Sequence, residues 1–520
     1  MSVQPGIAAL PDSAQSHRRD LQDLRTIAYG GGAYLLASVM GNGLNYCFGI
    51  FLARTLGADE FGLFALALTV FNVVCLTVVF GLDNGAIRMV SQHLAAARLA
   101  NARLSVTAAV LLGLAAGMAA AIALGVLAHP LASRIYQKPA LNEALLVFAA
   151  AIPFASATTV LLACLQAYQK IQWNILIKYV WEPTGKFLLT LFALWMGFGL
   201  LAVLTSILVA LVASFLLSAW AVFHVIFEGS PRDLSWSAEQ AGALVTYSMP
   251  LAVSNLVGVV APRADILLLG YWYTTAEVGI YLASFQTAAV MALVLGAFNT
   301  AFAPLISRAC MQDDQERIRS SYQTISRFSL IVALPIFCCL VVFGEDILAI
   351  FGRDFTAGWL ALVILASGQL FNAATGAANT ILLMSGYSRV VMTNTIIMGL
   401  ALLMGAIVLI PYMGLLGAAI AASCTFVVTN VVRALQVWRL HSIHPYSFGL
   451  VRPVAIAGVA TLFAYVPVIV DPSIPIHLSV VLLCVLYLLG VWRYGLSPDD
   501  RYLLSSALPQ GRRALGEPTL

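Results

Sequence analysis

LARTLGADEFGLF, residues 52–64, returns as LGYWYTTAEVGIY, residues 269–281, with Glu60, Gly62 and Phe64 facing Glu277, Gly279 and Tyr281 at an offset of 217, the distance from Gly62 to Gly279. A second anchor keeps the offset. Met196 and Gly197 match Met413 and Gly414, Ala202 matches Ala419, and Ser206 matches Ser423. The chain therefore reads as two copies of one unit. Apolar runs long enough to cross about 30 Å of hydrocarbon lie near 27–52, 60–82, 104–128, 143–166, 173–195 and 199–223 in the first copy. The second copy has them near 241–271, 277–300, 325–350, 357–384, 390–411 and 414–438, and 452–470 and 476–493 follow outside the repeat.

The expected fold is an all-α polytopic membrane protein of about 14 transmembrane helices. Six spans per copy is an even number, so both copies enter the membrane from the same side. Two six-helix lobes related by a pseudo-two-fold axis along the membrane normal follow, with two C-terminal helices added and a cleft between the lobes as the natural path. The division predicted is a cytoplasmic tail over 1–26, an N-terminal lobe over 27–227, a linker over 228–240, a C-terminal lobe over 241–440, spans 13 and 14 within 441–493, and a second tail over 494–520.

Composition agrees. Of 520 residues, 61% are hydrophobic and 10% charged, with 27 basic against 23 acidic side chains. A soluble domain carries about 25% charged residues, so soluble enzymes, nucleic-acid binders and disulfide scaffolds are excluded. The eight cysteines sit almost all in apolar runs without a C-x-x-C pair, which reads as packing and offers no metal site. Residues 1–26 lack the apolar core of a secretory signal. With the N-terminus in the cytoplasm, most basic residues fall in inner connections and tails. Only Arg54, Arg134, Lys138 and Arg353 fall outside, so both termini are expected to be cytoplasmic. The inner connections 83–103 and 301–324 read as amphipathic helices at the headgroups. Outer loops are short, which argues against an enzyme built on that face.

Three bases lie inside spans. WNILIKYVWEPTGKFLLTLFALW, residues 173–195, carries Lys178, Glu182 and Lys186 at i, i+4 and i+8, on one face of a helix. Counted from Trp173, Glu182 is roughly 13 Å deep, near the bilayer centre. Each such charge costs ~2.5–3.5 kcal/mol on insertion scales. Two readings fit: the three neutralise one another and hold the span to a neighbour, or they line a water-filled cavity that receives an anion. One acid cannot fully pair two bases, which favours the cavity. Pro183 loosens the backbone beside Glu182. Span 7 carries Arg263 and Asp265 after Pro262. Residues two apart point to different sides of a helix, so a direct pair needs a distorted turn. Asp83 and Arg88 close a helix end or form a gate between lobes. Asn42 and Asn45 line the cavity or bond between helices. There is no phosphate loop, and the Gly197-x-Gly199-x-x-Ala202 pattern lies between spans, so it is not a dinucleotide site. No histidine lies deep, which leaves Glu182 and Asp265 to carry any proton or sodium coupling.

The stretch ARTLGADEFGLFALALTVFNVVCLTVVFGLDNGAIRMVSQ, from Ala53 to Gln92, resembles the N-terminal signature of the polysaccharide-export flippases of the multidrug/oligosaccharidyl-lipid/polysaccharide exporter superfamily. DILLLGYWYTTAEVGIYLASFQ, from Asp265 to Gln286, with Pro304 following, is similar to its second-half counterpart. The resemblance implies a flippase that translocates a polyprenyl-diphosphate-linked oligosaccharide across a bacterial inner membrane by alternating access, for O-antigen, capsule or exopolysaccharide assembly. It implies that basic cavity residues meet the diphosphate, and by chemistry and depth Lys178, Lys186 and Arg263 are the candidates. Membrane lipids, a polysaccharide polymerase and glycosyltransferases would be its partners, with no nucleic acid and no cofactor. A lipid II flippase shares the diphosphate chemistry. A drug or cation antiporter of the same superfamily is the other alternative, but three deep bases against two acids suit anionic cargo better.

Overall fold

The computed structural model describes residues 12–79, 81–197, 199–229, 237–446, 450–470 and 476–495, and among them every regular element is helical. The first half comprises α1 Asp12–Val79, α2 Leu82–Ala95, α3 Leu99–Pro130, α4 Leu141–Ala167, the single turn α5 Ile171–Asn174, α6 Glu182–Trp195 and α7 Leu200–Val225. The second comprises α8 Ala238–Val260, α9 Ala264–Trp272, α10 Thr275–Met311, α11 Gln315–Val342, the short α12 Gly344–Ala349, α13 Trp359–Thr375, α14 Ala378–Met384 and α15 Ser388–His441. Helices α16 Val451–Val470 and α17 Ile476–Gly490 close the described chain.

Nine helical stretches among the described residues are long and apolar enough to cross a membrane by length and composition. The sequence expectation was about fourteen; two pairs of spans merge across bends, two spans are broken, and span 13 is a shorter apolar helix over its described residues Val451–Val466. α1, with 68 residues, holds the first two expected spans on either side of Gly57 (φ 76°, ψ 176°). α15, with 54 residues, holds spans 11 and 12 on either side of Gly414 (φ 54°, ψ −129°). Positive φ favours glycine, so the chain reverses at these points without a loop. Span 5 is broken into α5, a π-helical stretch Ile175–Trp181 and α6; span 7 is broken into α8, the 3-10 turn Ala261–Arg263 and α9. The tail expected over 1–26 is helical from Asp12, and 230–236 of the expected linker lie outside the described residues. The inner connection 83–103 does contain an amphipathic helix, α2, which buries Leu82, Gly85, Ala86 and Val90. The connection 301–324 does not, because α10 runs on to Met311 and α11 starts at Gln315.

The 217-residue offset extends to whole elements. α3 and α11 start at Leu99 and Gln315, α4 and α13 at Leu141 and Trp359, and α5 and α15 at Ile171 and Ser388. Gly197 (φ 86°) and Gly414 (φ 54°) reverse the chain at matched positions. The lobes meet at the residues that first revealed the repeat. A Cβ on Gly62 would lie 1.7 Å from the carbonyl oxygen of Thr275, and one on Gly279 would lie 2.4 Å from that of Ala58. Ala58 and Thr275 are themselves equivalent, so this is a self-complementary contact across a pseudo-two-fold axis. Only glycine permits backbones this close.

The core has a different organisation at its two ends. At the end carrying Gly57, the outer one by the charge bias, a single cluster joins both lobes: Phe61, Phe64 and Phe148 of the first with Tyr281, Phe351 and Phe355 of the second. Towards the inner end the core splits. One cluster, including Val90, Val106, Leu161 and Val222, belongs to the first lobe, and another, including Ile306, Ile325, Ile381 and Val437, to the second. The first half of α8 crosses this divide, with Ala241 and Leu244 buried in the first lobe's cluster. α16 and α17 pack on α11, where the Tyr487 hydroxyl donates to the Ile331 carbonyl at 2.8 Å.

Candidate functional site

The expected charged stripe lies on the broken span 5. Pro183 supplies no N–H, and just before it the helix widens: the Glu182 N–H bonds the carbonyl of Ile177, five residues back. This wide turn carries Lys178 on its exposed side and hands over to α6 at Glu182, which is half-buried, as is Lys186. No ion pair within 4.0 Å joins Glu182 to either lysine; among the described residues the one such pair is Arg103–Glu228 at 2.9 Å. The neutralised-triad reading therefore lacks its contacts. Lys186 instead places Nζ 5.1 Å from the ring centroid of Phe48 on α1, and Phe48 and Phe51 pack on Phe187 beside it.

α1 and span 5 run parallel in one register. A Cβ on Gly41 would lie 2.8 Å from the carbonyl oxygen of Tyr179, while Phe48 meets Lys186, and both steps span the same number of residues. That register sets Glu182 at the level of Leu44 and Asn45. Asn42 is exposed, and the buried Asn45 Oδ1 has no hydrogen-bond partner. At the next residue, Tyr46 and Thr287 share a hydrogen bond of 3.0 Å between the lobes, next to a buried Gln286 Oε1 without a partner. Lys178, Glu182, Lys186, Asn42 and Asn45 thus lie at matching levels along a strip of the first lobe formed by two neighbouring helices. The strip ends where the common core begins.

Span 7 places its two candidates differently. Arg263, half-buried, closes the 3-10 turn and occupies the position that Tyr46 holds in the first repeat, which puts it at the level of this polar band. Asp265 is 2% exposed. Its carboxylate accepts the Tyr281 hydroxyl at 2.5 Å, which joins α9 to α10, and the Ile266 N–H at 2.8 Å within its own helix, so both oxygens are engaged. Arg263 and Asp265 form no ion pair within 4.0 Å. Asp83, in the first turn of α2, accepts from Asn84 at 3.3 Å, and Arg88 lays its guanidinium 4.4 Å from the Tyr247 ring centroid of α8. Arg88 thus joins α2 to α8, whereas the Asp83 bond is local to α2. No group of three or more His, Cys, Asp or Glu side chains suited to a metal is found among the described residues.

Two cations escaped the sequence reading. Arg433, counted with the inner connections, lies half-buried about two turns inside the end of α15, and its Nε is buried without a partner. Lys138, counted as a loop charge, donates to Gly270 O at 2.7 Å, Tyr273 O at 2.9 Å and Tyr136 O at 3.4 Å. Nothing in the local sequence marks either: the α9 carbonyls that hold Lys138 are distant in the chain, and the burial of Arg433 depends on tertiary packing.

A model of a family described as polysaccharide biosynthesis protein matches residues 51–364. A probable low-salt glycan biosynthesis flippase of Haloferax volcanii is 24% identical over 403 residues, 77% of this chain and 81% of that protein. A succinoglycan biosynthesis transport protein of Rhizobium meliloti is 23% identical over 355 residues, 68% of each. Among solved structures, the lipid II flippase MurJ in an inward closed conformation superposes with a TM-score of 0.72 at 11% identity, over 89% of this chain and 98% of that one. An inward-facing multidrug resistance MATE family transporter of the MOP superfamily does so with a TM-score of 0.65 at 16% identity, over 79% and 98%. These identities establish a shared fold.

Proposed function

The chain belongs to the polysaccharide biosynthesis protein family, and from that premise we propose that it is a flippase which moves a polyprenyl-diphosphate-linked oligosaccharide from the cytoplasmic to the outer leaflet of a bacterial inner membrane. The observation that carries this reading is the stripe Lys178–Glu182–Lys186, two bases and one acid on a widened helix turn with no ion pair among them. A diphosphate and a sugar chain cannot enter hydrocarbon without losing hydration, which is prohibitive for the charges and costly for each hydroxyl. Lysines at that depth supply countercharge, and asparagines beside them supply donors and acceptors. The polyprenyl tail needs no such route and stays in lipid.

The mechanism requires no covalent step. Lys186, held by Phe48, and Lys178, towards the open inner end, meet the diphosphate in sequence as the headgroup rises along α1. Arg263, at the matching level of the second repeat, meets it from the other lobe. Alternating access then transfers the headgroup when the outer ends of the lobes part about their shared aromatic core and the inner cleft closes. Glu182 keeps the stripe from holding the anion too tightly and is the candidate for proton or sodium coupling; Asp265, engaged by Tyr281 and its own helix, serves in structure. Oligosaccharide assembly enzymes and a polymerase would act before and after this step.

The test is a leaflet-resolved assay of the cognate glycolipid in proteoliposomes. Lys186→Ala is expected to slow translocation by about 10- to 100-fold, as loss of a charge-assisted contact implies, with Lys178→Ala milder and membrane insertion unchanged. Glu182→Gln is expected to flatten the response to an imposed ion gradient. Wild-type flipping in both lysine mutants and in the double mutant rejects the role.

A further inference from the structure

Position 138 and position 355 are equivalents at the 217-residue offset, each in the short segment leading into a helix, α4 for Lys138 and α13 for Phe355. Both reach across the axis to the other lobe, with opposite chemistry. Lys138 is fixed on the first lobe by its backbone, its N–H bonding Ala132 O at 2.7 Å and its carbonyl accepting from Leu141 N at 3.0 Å. Its ammonium crosses to Gly270 O and Tyr273 O, at the end of α9. Carbonyls at a helix C-terminus lack intrahelical partners and carry partial negative charge, so a cation there is favoured. Phe355 crosses the other way. It is 1% exposed and packs edge-on against Phe61 of α1, with centroids 5.9 Å apart at 70°, and against Phe351 at the same separation.

We propose that Lys138 is the releasable latch of the outer seal and Phe355 the fixed strap about which the lobes part. Water can replace carbonyl partners of an ammonium, whereas nothing in water replaces a ring sealed in a shared aromatic core. Lys138 is only half-buried, and burial pushes its ammonium down from the ordinary lysine range, so desolvation offsets part of what its bonds contribute. That balance suits a contact that must break in each cycle. The latch grips backbone, so it depends on where α9 ends and not on which side chains α9 carries.

Nitroxide labels on Ala140→Cys and Ala357→Cys, exposed residues on the two outer segments, read the separation of the lobes in the full chain, in nanodiscs and without glycolipid, after replacement of the eight native cysteines. Lys138→Met is expected to raise the ratio of open to closed outer ends about ten-fold. Lys138→Gln, which keeps one donor group, falls between Lys138→Met and wild type and serves if the methionine variant folds poorly. Lys138→Arg stays closed, and so does Phe355→Leu. The inference is overturned if Lys138→Met and Lys138→Gln both superimpose on wild type, or if Phe355→Leu opens as far as they do. No cargo enters this measurement, so it stands or falls apart from the flippase reading.

Discussion

Span 5 of the first lobe and the opening half of α15 in the second occupy the same place in the repeat, yet they differ in every feature that bears on chemistry. Where the first has Lys178, Glu182 and Lys186, the second has Thr395, Gly399 and Leu403 at the same offset. Where the first has Pro183 after a π-helical turn, the second has Leu400 in continuous α-helix. Gly399 is buried, whereas Glu182 is half-buried. The scaffold is duplicated and the charge is not. Packing constraints act on both copies alike, because each must close against the other across the axis. A phosphorylated headgroup needs countercharge along one route only, and a second stripe would add insertion cost without a partner.

The strongest way to break this picture acts on the shared scaffold. Gly62→Val would drive a branched side chain into the Thr275 carbonyl, 1.7 Å from where its Cβ must lie, with backbone on both sides and nothing able to yield. We expect no folded, monodisperse protein by size-exclusion chromatography, and the same from Gly279→Val. Gly57→Ala, where no atom lies within 4 Å of the added Cβ, bears only the strain of a positive φ. With ψ at 176° this backbone is one that glycine alone adopts readily, so the substitution should lower stability by about 1–3 kcal/mol. A pair of valine variants that fold and flip normally would remove the axis contact from the argument.

A smaller effect sharpens the chemical difference. Pro183→Leu installs the residue that the second lobe has at this position and restores the missing backbone donor. The wide turn should relax towards ordinary helix, whose 100° per residue rotates Lys178 relative to Glu182 and Lys186. Translocation is expected to fall several-fold while thermal stability holds or rises, since a helix interior prefers leucine to proline. Unchanged transport would mean that the π-helical stretch serves packing alone.

The scaffold was legible in the sequence because repeated glycines and apolar runs report local geometry: Gly62 and Gly279 at one offset predicted the duplication, and six spans per copy predicted its direction. The charged stripe was legible because an unfavourable residue at depth is conspicuous whatever surrounds it. The π-helical turn was not, since Pro183 announces a loosened backbone without saying whether the helix kinks, unwinds or widens. Lys138 and Arg433 were hidden for another reason. Charge counting sorts basic residues by distance from a span end, and both lie close enough to an end to be counted as topological anchors, whereas tertiary contacts alone reveal the carbonyls of α9 around one and the buried, partnerless Nε of the other.

The smallest expected effect is at the inner end, where the lobes are joined by α8. Arg88 sits over Tyr247 at 4.4 Å, His93 and Ser105 both meet the side-chain Oε1 of Gln240, at 3.2 and 2.9 Å, and the Ser248 hydroxyl donates to Gly81 O at 3.3 Å. This tie is as one-sided as the charged stripe, for the counterpart of Arg88 in the second repeat is Leu305, 38% exposed. An exposed cation–π contact contributes about 0.5–1 kcal/mol, so Tyr247→Leu should shift the population of the inner-closed form about two- to five-fold. Spin-label distances across the inner ends measure it. Lys138 and Arg88 hold opposite ends of the same broken span, one at α9 and one at α8, with the Ala261–Arg263 turn between them. If span 7 moves as two pieces about that turn, Tyr247→Leu leaves the outer label distance unchanged; if it moves as a rod, loosening the inner end widens or narrows the outer one as well.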